Sequence, residues 1–234
     1  MPGYQTRQQQ VAIRGADSLL IRSLLDRQQY ADPDGRAEAA GFSSATWPLF
    51  GMLWPSGLQL AAHMATRPLK AGERILEVGC GLALASLVCH RRGIDVTASD
   101  AHPLAPDFLH DNLNLNALAP LVYRRGDWAG QAGVPAVAHP ADAAPVQGRF
   151  DVIMGSDVLY ERDEQGHLAR FVERHAEPDA EVLIVDPDRG NRPAFTRRMS
   201  GLGFVLHETA LRTPEADGLP YRGRLLRYSR TALT

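Results

Sequence analysis

Lysine is almost missing from this chain. Lys70 is the only one, and arginine supplies the rest of the 25 basic residues. The arginines are scattered among acids and the formal charge is −2, so no global field draws in nucleic acid or an anionic membrane. Cysteine is scarce too. Cys80 and Cys89 are too few for a disulfide scaffold, which points to a reducing, cytoplasmic setting. Both sit near a glycine turn, where burial in the core is the expected role. No apolar run reaches membrane-spanning length, and the polar start Met1-Pro2-Gly3-Tyr4-Gln5-Thr6-Arg7 lacks the apolar centre of a signal peptide. The eight histidines never fall into His-x-x-x-His or a similar ligand spacing, which argues against a metal site. Ser99 and Ser156 lack a Gly-x-Ser-x-Gly elbow, which argues against a hydrolase triad.

What is present is ordinary for a globular protein: 234 residues, 44% hydrophobic and 22% charged. The organising stretch is Arg74-Ile75-Leu76-Glu77-Val78-Gly79-Cys80-Gly81-Leu82-Ala83. A short apolar run stops at Gly-x-Gly, and an Ala- and Leu-rich segment follows through His90. The reading is a strand, a tight turn and a helix N-terminus, where backbone N–H groups approach a ligand. Ile94 to Asp100 then reads as a second strand ending in an acid, placed to take both hydroxyls of a ribose. A nucleoside-containing cofactor follows.

Along the chain, residues 1–10 are polar and expected to fray. Val11-Ala12-Ile13 suggests a short strand. Leu20, Leu24 and Leu25 recur at helical spacing, while Leu19 and Ile21 allow an extended start. Asp32-Pro33-Asp34-Gly35 signals a turn, and Arg36 to Ala40 one helical turn. Two Trp-Pro pairs, Trp47-Pro48 and Trp54-Pro55, each push the tryptophan away from helical backbone, and a helix starts at Pro55 or Ser56. Trp54 is either a plug over the core or a wall of the site. Pro103 to Ala119 reads as a helix and Leu121 to Arg125 as a third strand, running into Gly126-Asp127-Trp128. An acid and an aromatic there can bond and stack on an adenine; the alternative is a helix cap beside a surface aromatic. Ala129 to Gly148, with a lone His139, reads as a surface loop. Phe150 to Ser156 is an apolar fourth strand leading into Asp157-Val158-Leu159-Tyr160. A helix over His167 to His175, a strand over Glu181 to Val185 ending at Asp186, a helix over Arg192 to Leu202, and strands from Gly203 and over Tyr221 to Tyr228 follow, the last two joined through Pro214 to Gly218. The pattern predicts a doubly wound α/β sheet closed by an antiparallel hairpin.

Ligands of such sheets bind outside the carboxyl ends of the strands. That rule gathers Glu77 to Ala83, Asp100, Asp127-Trp128, Asp157 to Tyr160 and Asp186 on one edge. A nicotinamide cofactor prefers a third glycine where Leu84 stands, and needs neither Glu77 nor Asp127. So many acids suit a cationic centre with an amino-acid tail better than a pyrophosphate.

On these motifs the chain resembles the seven-strand S-adenosylmethionine-dependent methyltransferases, and within them the methyltransferase-16 family of protein lysine methyltransferases. The resemblance runs from about Leu53 to Leu202 and rests on Leu53-Trp54-Pro55-Ser56-Gly57, Leu76 to Gly81, Ser99-Asp100, Gly126-Asp127-Trp128 and Asp157-Val158-Leu159-Tyr160. It implies a Rossmann-like seven-stranded domain over residues 46–234 behind an N-terminal extension, residues 1–45, that matches nothing usable. Ala83 departs from a third family glycine, and an alanine fits there if its φ is negative. The resemblance implies that Glu77, Gly79 and Gly81 shape the pocket for the cofactor's methionine and ribose part. Asp100 holds the ribose, Ala101 lies beside the adenine, and Asp127 and Trp128 bind and pack on it. Trp54, Cys80 and Ser156 complete the cofactor set, while Asp157 and Tyr160 face the methyl group and the incoming nucleophile. For Asp157 the alternative is a helix N-cap, with Tyr160 in the core. The implied acceptor is a protein lysine; a small-molecule N- or O-methyltransferase and a non-catalytic cofactor-binding scaffold stay open. Neither nucleic acid nor membrane is expected as a partner, and the oligomeric state is not legible.

Overall fold

The computed structural model describes residues 3–128, 143–160, 163–214 and 220–230. The chain begins with two paired strands, β1 (Thr6–Val11) and β2 (Leu19–Leu24), antiparallel in a small sheet of their own. The expected fraying is therefore wrong from Thr6 onward, and the strand ends at Val11 where the sequence suggested it began. Gln8 and Gln10 are exposed and Gln9 is half-buried, and β2 satisfies their backbone. β2 itself is extended rather than helical, burying Leu19, Ile21 and Leu24. The Asp32 turn forms as expected: its carboxylate accepts from the Ala37 and Glu38 N–H groups and starts α1 (Arg36–Ala39).

Trp47–Gly51 is a short 3-10 helix, so Trp47 is not extended as its following proline suggested. Trp54 is, with φ −101° and ψ 136°, and it leads into α2 (Pro55–Thr66). The alternation then proceeds as β3 (Arg74–Val78), α3 (Leu84–Arg91), β4 (Asp95–Asp100), α4 (Ala105–Leu115), β5 (Val122–Arg125), β6 (Phe150–Ser156), α5 (His167–His175), β7 (Ala176–Asp186), α6 (Arg192–Gly201), β8 (Val205–Pro214) and β9 (Pro220–Ser229). Most of the Ala129 to Gly148 segment, including His139, and the Pro214 to Gly218 connection beyond Pro214 lie outside the described residues.

The main sheet has seven strands in the order β5-β4-β3-β6-β7-β9-β8. Pairing is parallel from β5 to β7 and antiparallel at β7/β9 and β9/β8. This is the doubly wound sheet with a terminal hairpin that the sequence predicts. Side chains alternate between its faces: Ile75 joins α2, α3 and α4 in one core, while Leu76 and Val78 join α5 and α6 in the other. The strand order reverses between β3 and β6, so a crevice opens at their carboxyl ends.

The N-terminal sheet shares the first core through Leu19, Ile21 and Leu24. Two asparagines on α4 hold it there. Asn112 Oδ1 accepts from the Arg22 N–H (2.7 Å) and Asn112 Nδ2 donates to the Arg22 carbonyl (3.4 Å). Asn116 repeats this on Leu20 at 2.9 and 2.8 Å. Four helical residues rise about 6 Å and two strand residues roughly 6.7 Å, so each amide stands in for a missing strand partner. Arg22 also pairs with Asp111 and lies over the Phe108 ring. Among the described residues no helix is long and apolar enough to cross a membrane.

Candidate active site

β3 ends in a turn of three left-handed residues, with φ 59° at Gly79, 51° at Gly81 and 57° at Ala83. The expectation of a negative φ at Ala83 is thus corrected: the alanine holds the conformation a glycine would favour. Crowding adds a second reason for the two glycines. A Cβ on Gly79 would lie 2.9 Å from the Val158 side chain and 3.4 Å from the Trp128 ring, and one on Gly81 2.8 Å from the Phe50 carbonyl oxygen.

Buried acids tie this turn down. Glu77 takes over the capping of α3 that Ala83 cannot perform, accepting from both the N–H and the hydroxyl of Ser86. Burial pushes its carboxyl up to about 7, against the pull of those two bonds. Asp100, closing β4, accepts from the Gly81 N–H at 2.8 Å and from the His102 N–H at 2.9 Å. Burial raises its carboxyl as well. Cys80 and Cys89 are buried, unpaired thiols, as expected.

Aromatic rings close the sides. The Trp54 indole donates to the Leu49 carbonyl (2.8 Å) and lies under the Arg27 guanidinium, 4.6 Å from it. Trp128 is partly buried against the second core rather than a surface aromatic, and its indole nitrogen has no partner among the described residues. His102 stacks on Phe50 at 3.7 Å; burial lowers its pKa to about 3, which keeps it neutral.

Beyond β6, Asp157 is left-handed (φ 58°), and its N–H donates to the Val185 carbonyl (2.9 Å). It is not the cap of α5. Asp163 does that, its two carboxylate oxygens accepting from the His167 and Leu168 N–H groups at 2.8 and 3.0 Å. Asp157 Oδ1 instead lies 2.9 Å from the Arg189 guanidinium. Tyr160 is 40% exposed, so the core placement weighed for it does not hold.

All twelve residues singled out from the sequence (Trp54, Glu77, Gly79, Cys80, Gly81, Asp100, Ala101, Asp127, Trp128, Ser156, Asp157 and Tyr160) line one cavity of about 850 Å³. Asp186 stands on the same edge but behind the lining, fully buried. Sequence reasoning missed Arg27, Phe42, Phe50 and Arg189, which also line it. The first two come from the segment that matched nothing, whereas Phe50 lies between the two Trp-Pro pairs and Arg189 follows Asp186-Pro187-Asp188 just after a predicted strand. Among the described residues no cluster of three or more His, Cys, Asp or Glu has the arrangement for a metal ion.

The methyltransferase domain family matches residues 54–228, which covers the glycine turn, every cavity-lining strand end and the terminal hairpin. The chain belongs to that family. The resemblance to the seven-strand S-adenosylmethionine-dependent methyltransferases is therefore borne out. Relatives include the electron transfer flavoprotein beta subunit lysine methyltransferase of Danio rerio, 28% identical over 61% of this chain and 51% of that protein. EEF1A lysine methyltransferase 3 of Mus musculus is 25% identical over 74% of this chain and 71% of its own. The calmodulin-lysine N-methyltransferase of Arabidopsis thaliana is 26% identical over 66% and 52%. The chain thus spans about half the length of the zebrafish and Arabidopsis relatives. Among solved structures, a methyltransferase from Pyrococcus furiosus superposes with TM-score 0.55 at 18% identity, covering 77% of this chain and 88% of that one. An S-adenosylmethionine-dependent methyltransferase from Methanosarcina mazei gives 0.54 at 13%, covering 77% and 99%. These likenesses are of fold.

The cavity suits S-adenosylmethionine. Asp100 faces it as a carboxylate whose ionised form burial disfavours, and burial raises Asp157 as well, with the Arg189 guanidinium opposing it there. Such walls favour a ligand bringing positive charge and hydroxyls, and repel a pyrophosphate.

Proposed function

We propose that this methyltransferase transfers a methyl group from S-adenosylmethionine to the side-chain amine of a lysine in a protein substrate. The observation that carries the reading is Asp157. It projects from the end of β6 into the cavity that the glycine turn and Asp100 also line, and the capping role that would explain it otherwise belongs to Asp163. The relatives named as lysine methyltransferases support the acceptor class.

In this reading Asp100 takes the ribose hydroxyls, with Glu77, Gly79, Cys80 and Gly81 shaping the space for the methionine and ribose part. Ala101, Asp127 and Trp128 receive the adenine, and Trp54 and Ser156 close the pocket. The bound cofactor supplies a methyl group already activated by its sulfonium. The protein's own task is then placement. A lysine amine, with an unperturbed pKa near ~10.4, reaches the site after losing its proton to water. Asp157 accepts a hydrogen bond from the neutral amine and turns its lone pair into the cavity. The Tyr160 ring at the rim faces the cationic centre. Residues 46–234 form the methyltransferase domain, and residues 1–45 act as an extension that walls its cavity, a reading supported by Arg27 and Phe42 in the lining. The unpaired thiols of Cys80 and Cys89 support work in a reducing, cytoplasmic compartment.

The test is labelling. Purified protein and tritiated cofactor are added to a lysate of cells lacking the gene, and labelled bands are analysed by mass spectrometry. Label on lysine side chains of protein is expected. Label confined to the small-molecule fraction, or none despite bound cofactor, contradicts the proposal.

A further inference from the structure

The Asp186-Pro187-Asp188-Arg189-Gly190 turn after β7 has no part in the function argued so far. Its geometry is nonetheless tightly fixed. Asp186 is fully buried, and its Oδ1 accepts from the Arg189 N–H at 2.9 Å. Asp188 is left-handed, with φ 66°. On the far side of the turn, Asn191 Nδ2 donates to the Leu159 carbonyl (3.0 Å), which ties this loop to the one carrying Asp157 and Tyr160. The Arg189 backbone is therefore held from both sides, and its guanidinium lies 2.9 Å from Asp157 Oδ1. The Asp157 backbone is held as well, by its left-handed φ and its bond to Val185.

The form of this contact matters. The charges are within ion-pair distance, yet Asp157 Oδ1 has no hydrogen-bond donor aligned on it among the described residues. Arg189 sets its charge against Oδ1, which is buried, and the remaining 11% exposure of the Asp157 side chain is what faces the cavity. The Arg189 side chain is 39% exposed and that of Asp157 11%, so the arginine approaches from the cavity mouth.

We infer that Arg189 is a positioning residue for methyl transfer, holding the Asp157 carboxylate ionised and oriented for the acceptor amine. This rests on the reading of Asp157 as the acceptor-orienting group. Three charged groups act on Asp157 from the elements around it. Burial and the neighbouring carboxylate of Asp186 disfavour its ionised form, and Arg189 first and Arg27 second oppose them. Without Arg189 the carboxylate keeps its proton to higher pH and loses the contact that fixes its rotamer.

The experiment measures initial tritium transfer to the precipitable protein of a heat-treated lysate, at limiting acceptor, from pH 6 to pH 9. R189M is expected to lose at least tenfold in rate at pH 6.5 and to recover part of that by pH 9, because the carboxylate's ionisation limb moves up. R189K, which keeps the charge but not the planar fork, is expected to recover most of the low-pH loss. Melting temperature and cofactor Kd, measured on the same samples, should stay at wild-type values. A wild-type pH profile in R189M, or faster transfer, overturns the inference; the second outcome would make Arg189 a competitor of the acceptor. If R189M does not fold, R189Q against R189K carries the same comparison of charge. D157N, run alongside, separates the two levels. An inactive D157N with an unaffected R189M refutes only the role of Arg189, whereas a fully active D157N removes the acceptor role of Asp157 itself.

Discussion

Ala83 carries backbone strain that its neighbours share without penalty. At φ 57° and ψ 36° an L side chain costs roughly 1–2 kcal/mol, whereas Gly79 and Gly81 adopt the same region freely. A83G should raise stability by about 0.5–1 kcal/mol, since part of the gain is offset by glycine's entropy in the unfolded chain. In a chain this long that is a rise of about 2 °C in Tm, readable by calorimetry; a fall would mean that the buried methyl matters more than the strain. Glu77 makes a pH prediction. Its folded pKa, about 7, lies above the unfolded value near 4.5, so the folded state binds the proton more tightly. That contribution is fully present below the unfolded pKa and is lost as pH rises through about 7. E77Q keeps an acceptor for Ser86 and removes the titration. Its Tm should decline less than the wild type's between pH 5 and pH 7.5. Parallel pH profiles would show that Glu77 does not titrate in that range.

At the scale of elements, the two asparagines of α4 attach a separate sheet to the methyltransferase core. Asn112 is fully buried, while the Asn116 contacts with Leu20 are exposed. N112A strands the Arg22 N–H and carbonyl and should cost about 1–3 kcal/mol; in N116A water replaces the amide and the loss should stay under about 1 kcal/mol. Denaturant titration of both variants measures the difference, and equal effects would contradict the clamp. This attachment also marks the limit of what the sequence discloses. β6 and α5 are legible to the residue because each carries its own apolar pattern, which neither borrows nor lends. β1 is not, since its glutamines pair only because β2 lies beside them. The twelve predicted lining residues come together because the α/β rule places every strand's carboxyl end on one edge. Arg27 and Phe42 obey no such rule: they reach the cavity through a clamp whose partners are some ninety residues apart in sequence, as in the Arg22 to Asn112 separation of 90. Likewise Asp157 and Asp163 both follow β6, and only the fold shows which of them caps α5.

Taken as a whole, the molecule presents the Asp100 carboxylate at the glycine turn of an aromatic-walled cavity, and that sets which cofactor it retains. S-adenosylmethionine or its demethylated product should raise Tm, while NAD, whose pyrophosphate meets Asp100, should not. A larger shift with NAD would contradict the assignment of the cavity. The central claim is that Asp157 serves transfer to a lysine amine, and one comparison tests it most directly: the rate of tritium transfer to lysine by D157N and wild type, with cofactor Kd and Tm measured on the same samples. Asparagine matches aspartate in size and caps helices about as well, so a structural role would survive the change. The account predicts a fall of at least a hundredfold, about 2.7 kcal/mol of barrier, at unchanged Kd. Wild-type turnover by D157N would contradict it.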